Sequence, residues 1–147
     1  MSVTVARKER FKRYFTEGLE RYRTGETVGL EIETQFIDPN GKPISTETSQ
    51  AILRERVRDM VFERWEVKAM RGGLITELKG VWSARNRILY ELGRHNLEVS
   101  LAPARIESLA RGNGEVFFSR MNAILKGLYI VAAKFGAIPF FGPILET

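Results

Sequence analysis

The 147-residue chain contains no cysteine, which excludes disulfides, thiolate metal sites and a cysteine nucleophile. It has one histidine, His95, so a multi-histidine zinc site cannot be assembled within one copy. Ser83 and Ser100 lack a histidine placed to activate them, and a hydrolytic triad is not supported. The amino end, "MSVTVARKER", has no apolar core that would serve as a secretion signal. No apolar run reaches membrane-spanning length. Repeats, linkers and low-complexity segments are missing too. These absences lead to the expectation of a soluble, cytoplasmic protein with no membrane partner.

What is present describes a globular domain. Apolar residues make up 44% of the chain and charged residues 28%, near the average for folded proteins, and the length suits one domain over residues 1–147. Lys and Arg total 23 against 18 Asp and Glu, a net charge of +5. Such a charge suits a polyanionic partner, but the basic residues are scattered, with no block of five in a row, so a solvated surface explains them more simply. Arg71-Gly72-Gly73 and Arg111-Gly112-Asn113-Gly114 lack the full spacing of a P-loop, and turns account for both.

The hydrophobic periodicity gives the elements. Residues 5–23 carry Phe11, Tyr14, Phe15, Leu19 and Tyr22 at helical spacing opposite a basic side. "VGLEIETQFID" (28–38) reads as a strand, and "DPNGKP" as a turn. "STETSQAILRERVRDMVFER" opens with capping residues and reads as a helix through Ile52, Leu53, Val57, Val61 and Phe62. "WEVKAM" and "LITELK" flank Arg71-Gly72-Gly73 as a hairpin, and "RNRILYEL" and "NLEVSLAP" form another around "GRHN". From Asn113, apolar residues from Val116 to Phe135 recur at intervals of three and four, a long helix ended by Gly136. "AIPFFGPILET" starts a last extended segment. Trp65 and Trp82 are expected on core faces. Hairpins with helices between and after them predict an α+β fold, a mostly antiparallel sheet packed by helices.

Two of these strands share a pattern. In the first, Val28, Leu30, Ile32 and Phe36 alternate with Glu31, Glu33, Gln35 and Ile37, so both carboxylates stand on the face away from the core. In the second hairpin, a two- or four-residue loop at "GRHN" pairs Leu92 with Leu97 and Glu91 with Glu98. Opposed Cβ atoms then lie about 4.5–5.5 Å apart, where like charges destabilise a sheet. If the two elements are neighbours, four carboxylates converge, and a hard divalent cation, Mg²⁺ or Mn²⁺, would remove the repulsion. The competing explanation is a wet polar face with each Glu near an arginine. Glu66 and Glu77 alternate with Lys68 and Lys79 and look like ordinary solvated positions.

These segments resemble a known family. "TVGLEIETQFIDPNGKPIS" is similar to the opening strand of the glutamate–cysteine ligases, which belong to the glutamine-synthetase-like carboxylate–amine ligases. "ELGRHNLEVSLAP" resembles that family's acidic hairpin, and "AAKFGAIPFFGPILET" its following helix-to-strand passage. The resemblance implies a partial glutamine-synthetase-like catalytic fold, with Glu31, Glu33, Glu91 and Glu98 holding Mg²⁺ or Mn²⁺. It implies ATP as co-substrate, glutamate as the acid activated through an acyl phosphate, and an amine such as cysteine as acceptor. Gln35, on the same face, either orients substrate or water or is simply a polar strand residue. Family members are several hundred residues long, so the expectation is an amino-terminal portion whose site is incomplete and which is inactive by itself. Two other classes stay open: a basic nucleic-acid-binding module, disfavoured by the acidic face, and a non-catalytic scaffold that self-associates through an open sheet edge.

Overall fold

The computed structural model describes residues 9–10, 12–13, 27–59, 63–83, 85–90 and 95–140. The expected first helix falls mostly outside these residues; Glu9, Arg10, Lys12 and Arg13 are helical. The fold is α+β with an antiparallel sheet, as its hairpin pattern predicts. Its contacts resolve into two compact units, Met1–Val28 with Pro103–Phe117, and Gly29–Ala102 with Phe118–Thr147.

In the first unit, β1 (Thr27–Val28) pairs antiparallel with β7 (Ala104–Arg105), Val28 opposite Ala104. A single helical turn, α2 (Ile106–Ser108), continues into a π-helical segment, Leu109–Asn113, where Glu107 and Arg111 form an ion pair. Gly112 leaves the helical region at φ 92°, a conformation that costs glycine little.

The second unit is built on a six-stranded sheet in the order β3-β4-β5-β6-β2-β8. Its strands are β2 (Glu31–Ile37), β3 (Trp65–Arg71), β4 (Leu74–Gly80), β5 (Arg87–Tyr90), β6 (Asn96–Ser100) and β8 (Ile138–Phe140). Every neighbouring pair is antiparallel. The single strand expected over 28–38 is divided at Gly29–Leu30, with β1 in one sheet and β2 in the other. Gly72 and Gly73 close the β3–β4 hairpin with φ 57° and 79°, the two positive values that a tight two-residue turn requires.

Two helices cover one face of this sheet. Helix α1 (Thr46–Arg58) starts where the Ser45 hydroxyl accepts from the Thr48 N–H at 3.1 Å, satisfying an otherwise orphaned donor. The Tyr90 hydroxyl reaches Thr46 at 3.4 Å. The buried Gln50 amide donates to the Ile75 carbonyl at 2.9 Å and accepts from its N–H at 2.7 Å, substituting for a strand partner. Helix α3 (Gly114–Ala133) lies over β2, where the Tyr129 hydroxyl bonds Thr34 at 3.0 Å and its ring meets Phe36 edge-on, centroids 6.0 Å apart. The core joins Phe36, Leu78, Ile88, Leu97 and Val99 of the sheet to Ile52 and Leu53 of α1 and Met121, Ile124 and Leu128 of α3. Each such burial stabilises by about 1.5–3 kcal/mol. Over its 20 residues α3 is apolar enough to pass for a membrane span, but this apolar side is the roof of the core. Gly136, φ 71°, ends the helix, with the Ala137 N–H returning to the Ala132 carbonyl at 3.1 Å, a left-handed C-terminal cap.

Several expectations are corrected. Helix α1 stops at Arg58, short of the predicted end at Arg64; Val61 and Phe62 lie outside the described residues. The buried Arg56 instead donates to the carbonyls of Asp59 (3.0 Å) and Glu63 (3.2 Å) and stands 5.9 Å over the Trp65 ring. Trp82 is 73% exposed rather than in the core, because the chain leaves β4 at Gly80 and carries it outward. Val116 and Phe135 are also exposed, one about 100° around the helix from Phe117 and the other beyond the helix end.

Burial also acts on Glu63. Loss of solvent raises its pKa, against the hydrogen bond from Asn86 and the charge of Arg56, which lower it. A raised folded-state pKa means the native protein binds this proton more tightly than the unfolded chain. The associated stability is present below the unfolded pKa and lost as pH rises through the folded one. Glu63→Gln, which keeps the neutral shape, is expected to raise the melting temperature at neutral pH, and the gain should shrink as the solution is acidified. Thermal melts of both proteins from acid to neutral pH check this.

Candidate functional site

The face of the second unit's sheet opposite α1 and α3 carries the acidic residues, and strand alternation puts them there. In β2 the side chains of Ile32, Thr34 and Phe36 point to the core, so Glu31, Glu33 and Gln35 point away. In β6 Leu97 and Val99 are buried, so Asn96, Glu98 and Ser100 point away as well. The two strands are neighbours with Glu31 opposite Ser100, Glu33 opposite Glu98 and Gln35 opposite Asn96. The two acidic elements are therefore neighbours in the sheet, and Glu31, Glu33 and Glu98 share one face.

The partner of Glu98 is different from the expected one. In the β5–β6 hairpin Tyr90 opposes Leu97 and Leu89 opposes Glu98, two residues away from the predicted Leu92–Leu97 and Glu91–Glu98 pairing. A shift of two keeps every side chain on its face, so Glu98 remains on the acidic side, opposite Glu33 of β2. Glu91 lies outside the described residues. His95, expected in the hairpin turn, is there and is 9% exposed, its carbonyl accepting from the Phe36 N–H at 2.8 Å.

The hydrogen bonds show how the acidic face is held. The Asn96 amide nitrogen donates to Glu33 Oε2 at 3.1 Å, and the Ser100 hydroxyl lies 3.5 Å from Glu31 Oε1. A carboxylate only accepts, so Asn96 must turn its NH₂ to Glu33 and its oxygen away. That oxygen and Oε1 of Gln35, on the residue opposite, are buried without a hydrogen-bond partner among the described residues. Asn96 and Ser100 were missed in the sequence, although their alternation with Leu97 and Val99 is the signal that placed Glu98. No basic side chain among the described residues pairs with Glu31 or Glu33.

The other half of the face is arranged differently. Lys68 and Arg87 both reach Glu77 Oε1, at 3.0 and 3.2 Å, and Lys79 meets Glu66 at 3.0 Å. Here the carboxylates are ion-paired with neighbours, where the sequence suggested ordinary solvated positions. Among the described residues no three His, Asp or Glu side chains form a metal-ligand group. What the face offers is two opposed carboxylates, Glu33 and Glu98, with Glu31 two residues along β2. That set fits Mg²⁺, which keeps several waters and takes one or two carboxylates together with substrate phosphates. It does not fit a cation needing an all-protein cage.

A double-mutant cycle isolates the Glu33–Glu98 interaction from other partners of either residue. Glu33→Gln, Glu98→Gln and the double variant, unfolded by urea at low salt without divalent cations, should give a repulsive coupling of about 0.2–1 kcal/mol. A coupling of zero or of attractive sign would mean that the two carboxylates do not confront each other.

Comparison of the chain with models of protein families, with curated proteins and with solved structures gave no match, and the functional reading rests on the residues of this face.

Proposed function

We propose that this chain is the amino-terminal part of an ATP-dependent carboxylate–amine ligase, most simply a glutamate–cysteine ligase. On this reading the open sheet face is the part of the active site that holds Mg²⁺ or Mn²⁺. The observation that carries it is the register placing Glu33 against Glu98, with no described cation paired to Glu31 or Glu33. The resemblance of "TVGLEIETQFIDPNGKPIS" and "ELGRHNLEVSLAP" to that family supports the same assignment. Glu33 and Glu98 would supply anionic oxygen ligands, with Glu31 beside them. Asn96 and Ser100 orient the carboxylates through the hydrogen bonds above. A bound divalent ion would supply charge neutralisation for phosphoryl transfer, a reaction catalysed mainly by positioning and electrostatics. Gln35, with an acceptor oxygen buried at the end of this row, is the candidate for contacting the amino-acid substrate. A cytoplasmic location goes with this chemistry, since ATP is its co-substrate.

Two measurements test the proposal. Protein expressed from its complete reading frame, incubated with ATP, Mg²⁺, glutamate and cysteine, should form γ-glutamylcysteine in an ATP-dependent manner; no product with cysteine or any other amine sinks the reading. In the present chain, Mn²⁺ at 100 times its dissociation constant should add about 2.7 kcal/mol of stability. The accompanying rise in melting temperature should be reduced in Glu33→Gln and Glu98→Gln.

A further inference from the structure

The core-side face of β2 is covered unevenly. Phe36 and Thr34 are 0% and 1% exposed, whereas Ile32, two residues earlier on the same face, is only half-buried. The register gives the reason. Strand β8 pairs with β2 only from Gln35 to Ile37, so among the described residues no strand flanks Ile32 on that side. A pocket of about 550 Å³ opens between Ile32 and helix α3. Its helical lining runs from Asn122 through Leu125, Lys126, Tyr129 and Ile130 to Ala133. These positions form one stripe at spacings of three and four, beside the stripe that roofs the core. We propose that this pocket binds an unbranched aliphatic monocarboxylate, its chain lying along the helix and its carboxylate at Lys126. The site lies on the opposite side of the sheet from the acidic residues and is independent of the ligase reading.

The lining has a polar and an apolar end. Asn122 lies one turn before Lys126, while Ile130 and Ala133 lie one and two turns beyond it. From Lys126 to Ala133 the helix rises about 10 Å, room for a medium-length acyl chain. Ile130 is 43% exposed, apolar surface that a hydrocarbon chain would remove from water. The most apolar window of α3 is only 44% buried, so the helix carries more apolar surface than the core takes up. The wall of the pocket is fixed before a ligand arrives: Thr34 holds the Tyr129 hydroxyl, and Phe36 packs against its ring. Preformed, mostly apolar clefts with a few polar groups are the kind that small ligands use. Lys126 is the one cation in the lining, a point charge on a flexible stem. A single carboxylate matches it, whereas a polyanion would find no second cation there.

The test is calorimetric titration of the protein with octanoate, octan-1-ol and butanoate. Lys126→Gln and Ala133→Trp are the variants, thermal melts confirming the fold of each. Both positions are exposed, so neither substitution disturbs the core. Octanoate should bind saturably, and butanoate at least about a hundredfold more weakly for want of four methylenes. Octanol, which lacks the charge, should bind about tenfold more weakly than octanoate. Lys126→Gln should abolish that difference by weakening octanoate alone, a result that a merely structural lysine would not give. Ala133→Trp, which fills the apolar end, should bind neither octanoate nor octanol. The proposal is overturned if octanoate does not bind, binds no better than octanol, or binds Ala133→Trp as it binds the parent. Sedimentation gives the remaining outcome: a parent dimer that Ala133→Trp converts to monomer, with no octanoate bound, assigns the pocket to a second copy instead.

Discussion

The pairing of β2 with β6 is the constraint from which the rest of the second unit follows. It joins Ile32 to Val99 and Thr34 to Leu97 on one side of the sheet, and Glu33 to Glu98 on the other. The same hydrogen-bonded ladder thus sets both the floor of the core and the confrontation of carboxylates. A slip of β6 by one residue would turn Leu97 and Val99 into water and Glu98 into the core, at a cost of several kcal/mol from the apolar residues alone. Repulsion between two opposed carboxylates on a sheet is worth at most about 1 kcal/mol. Packing therefore decides the register, and the acidic pair is tolerated because it cannot outweigh the core. Phe36 and Thr34 strengthen the choice by engaging Tyr129 of α3 from the same strand.

This difference in magnitude also explains what the sequence could and could not reveal. Alternation with period two identifies the faces, so the sides of Glu31, Glu33, Gln35 and Glu98 were legible, as was the α+β arrangement. Register within a face is another matter. A shift of two residues in the "GRHN" hairpin leaves the apolar set buried, and hydrophobicity cannot distinguish Tyr90–Leu97 from Leu92–Leu97. What separates them is the longer loop and the simultaneous demand of β2 on the other edge of β6, a long-range contact that local pattern does not contain. The end of α1 was hidden for a related reason: Val61 and Phe62 extend the helical periodicity. Yet Arg56 turns to cap the carbonyls of Asp59 and Glu63 and to cover Trp65. A buried arginine in that role looks, in sequence, like one more exposed charge.

The two halves of the open face show why composition is a poor guide to function here. A net charge of +5 suggests a basic surface, but the cations on this sheet are largely spent on Glu66 and Glu77. Exposed ion pairs of this kind contribute at most about 1 kcal/mol each; their consequence is local neutrality. On β2, Glu31 and Glu33 have no basic partner among the described residues. Neutral donors, Asn96 and Ser100, orient the carboxylates there without discharging them. A neutral donor at Asn96 orients Glu33 without adding a charge, whereas an arginine there would add one.

The position of Arg87 depends in turn on a polar cluster in the sheet's end. Asn86, the residue before it, is buried; its side-chain oxygen accepts from the Ala102 N–H at 2.7 Å and its nitrogen lies 3.4 Å from Glu63 Oε1. Its backbone carbonyl accepts from the Gly80 N–H at 2.9 Å. One asparagine thereby ties the end of β4, the start of β5 and the segment after β6 together, and with them the register in which Lys79 faces Arg87 and Arg87 faces Ser100. Gly80 is required at this junction because a Cβ there would meet the Ser83 carbonyl at 2.6 Å and Glu63 Oε1 at 2.7 Å. A half-buried carboxylate kept against its preference for water, and a glycine that leaves it room, thus accompany the asparagine that fixes this corner of the sheet.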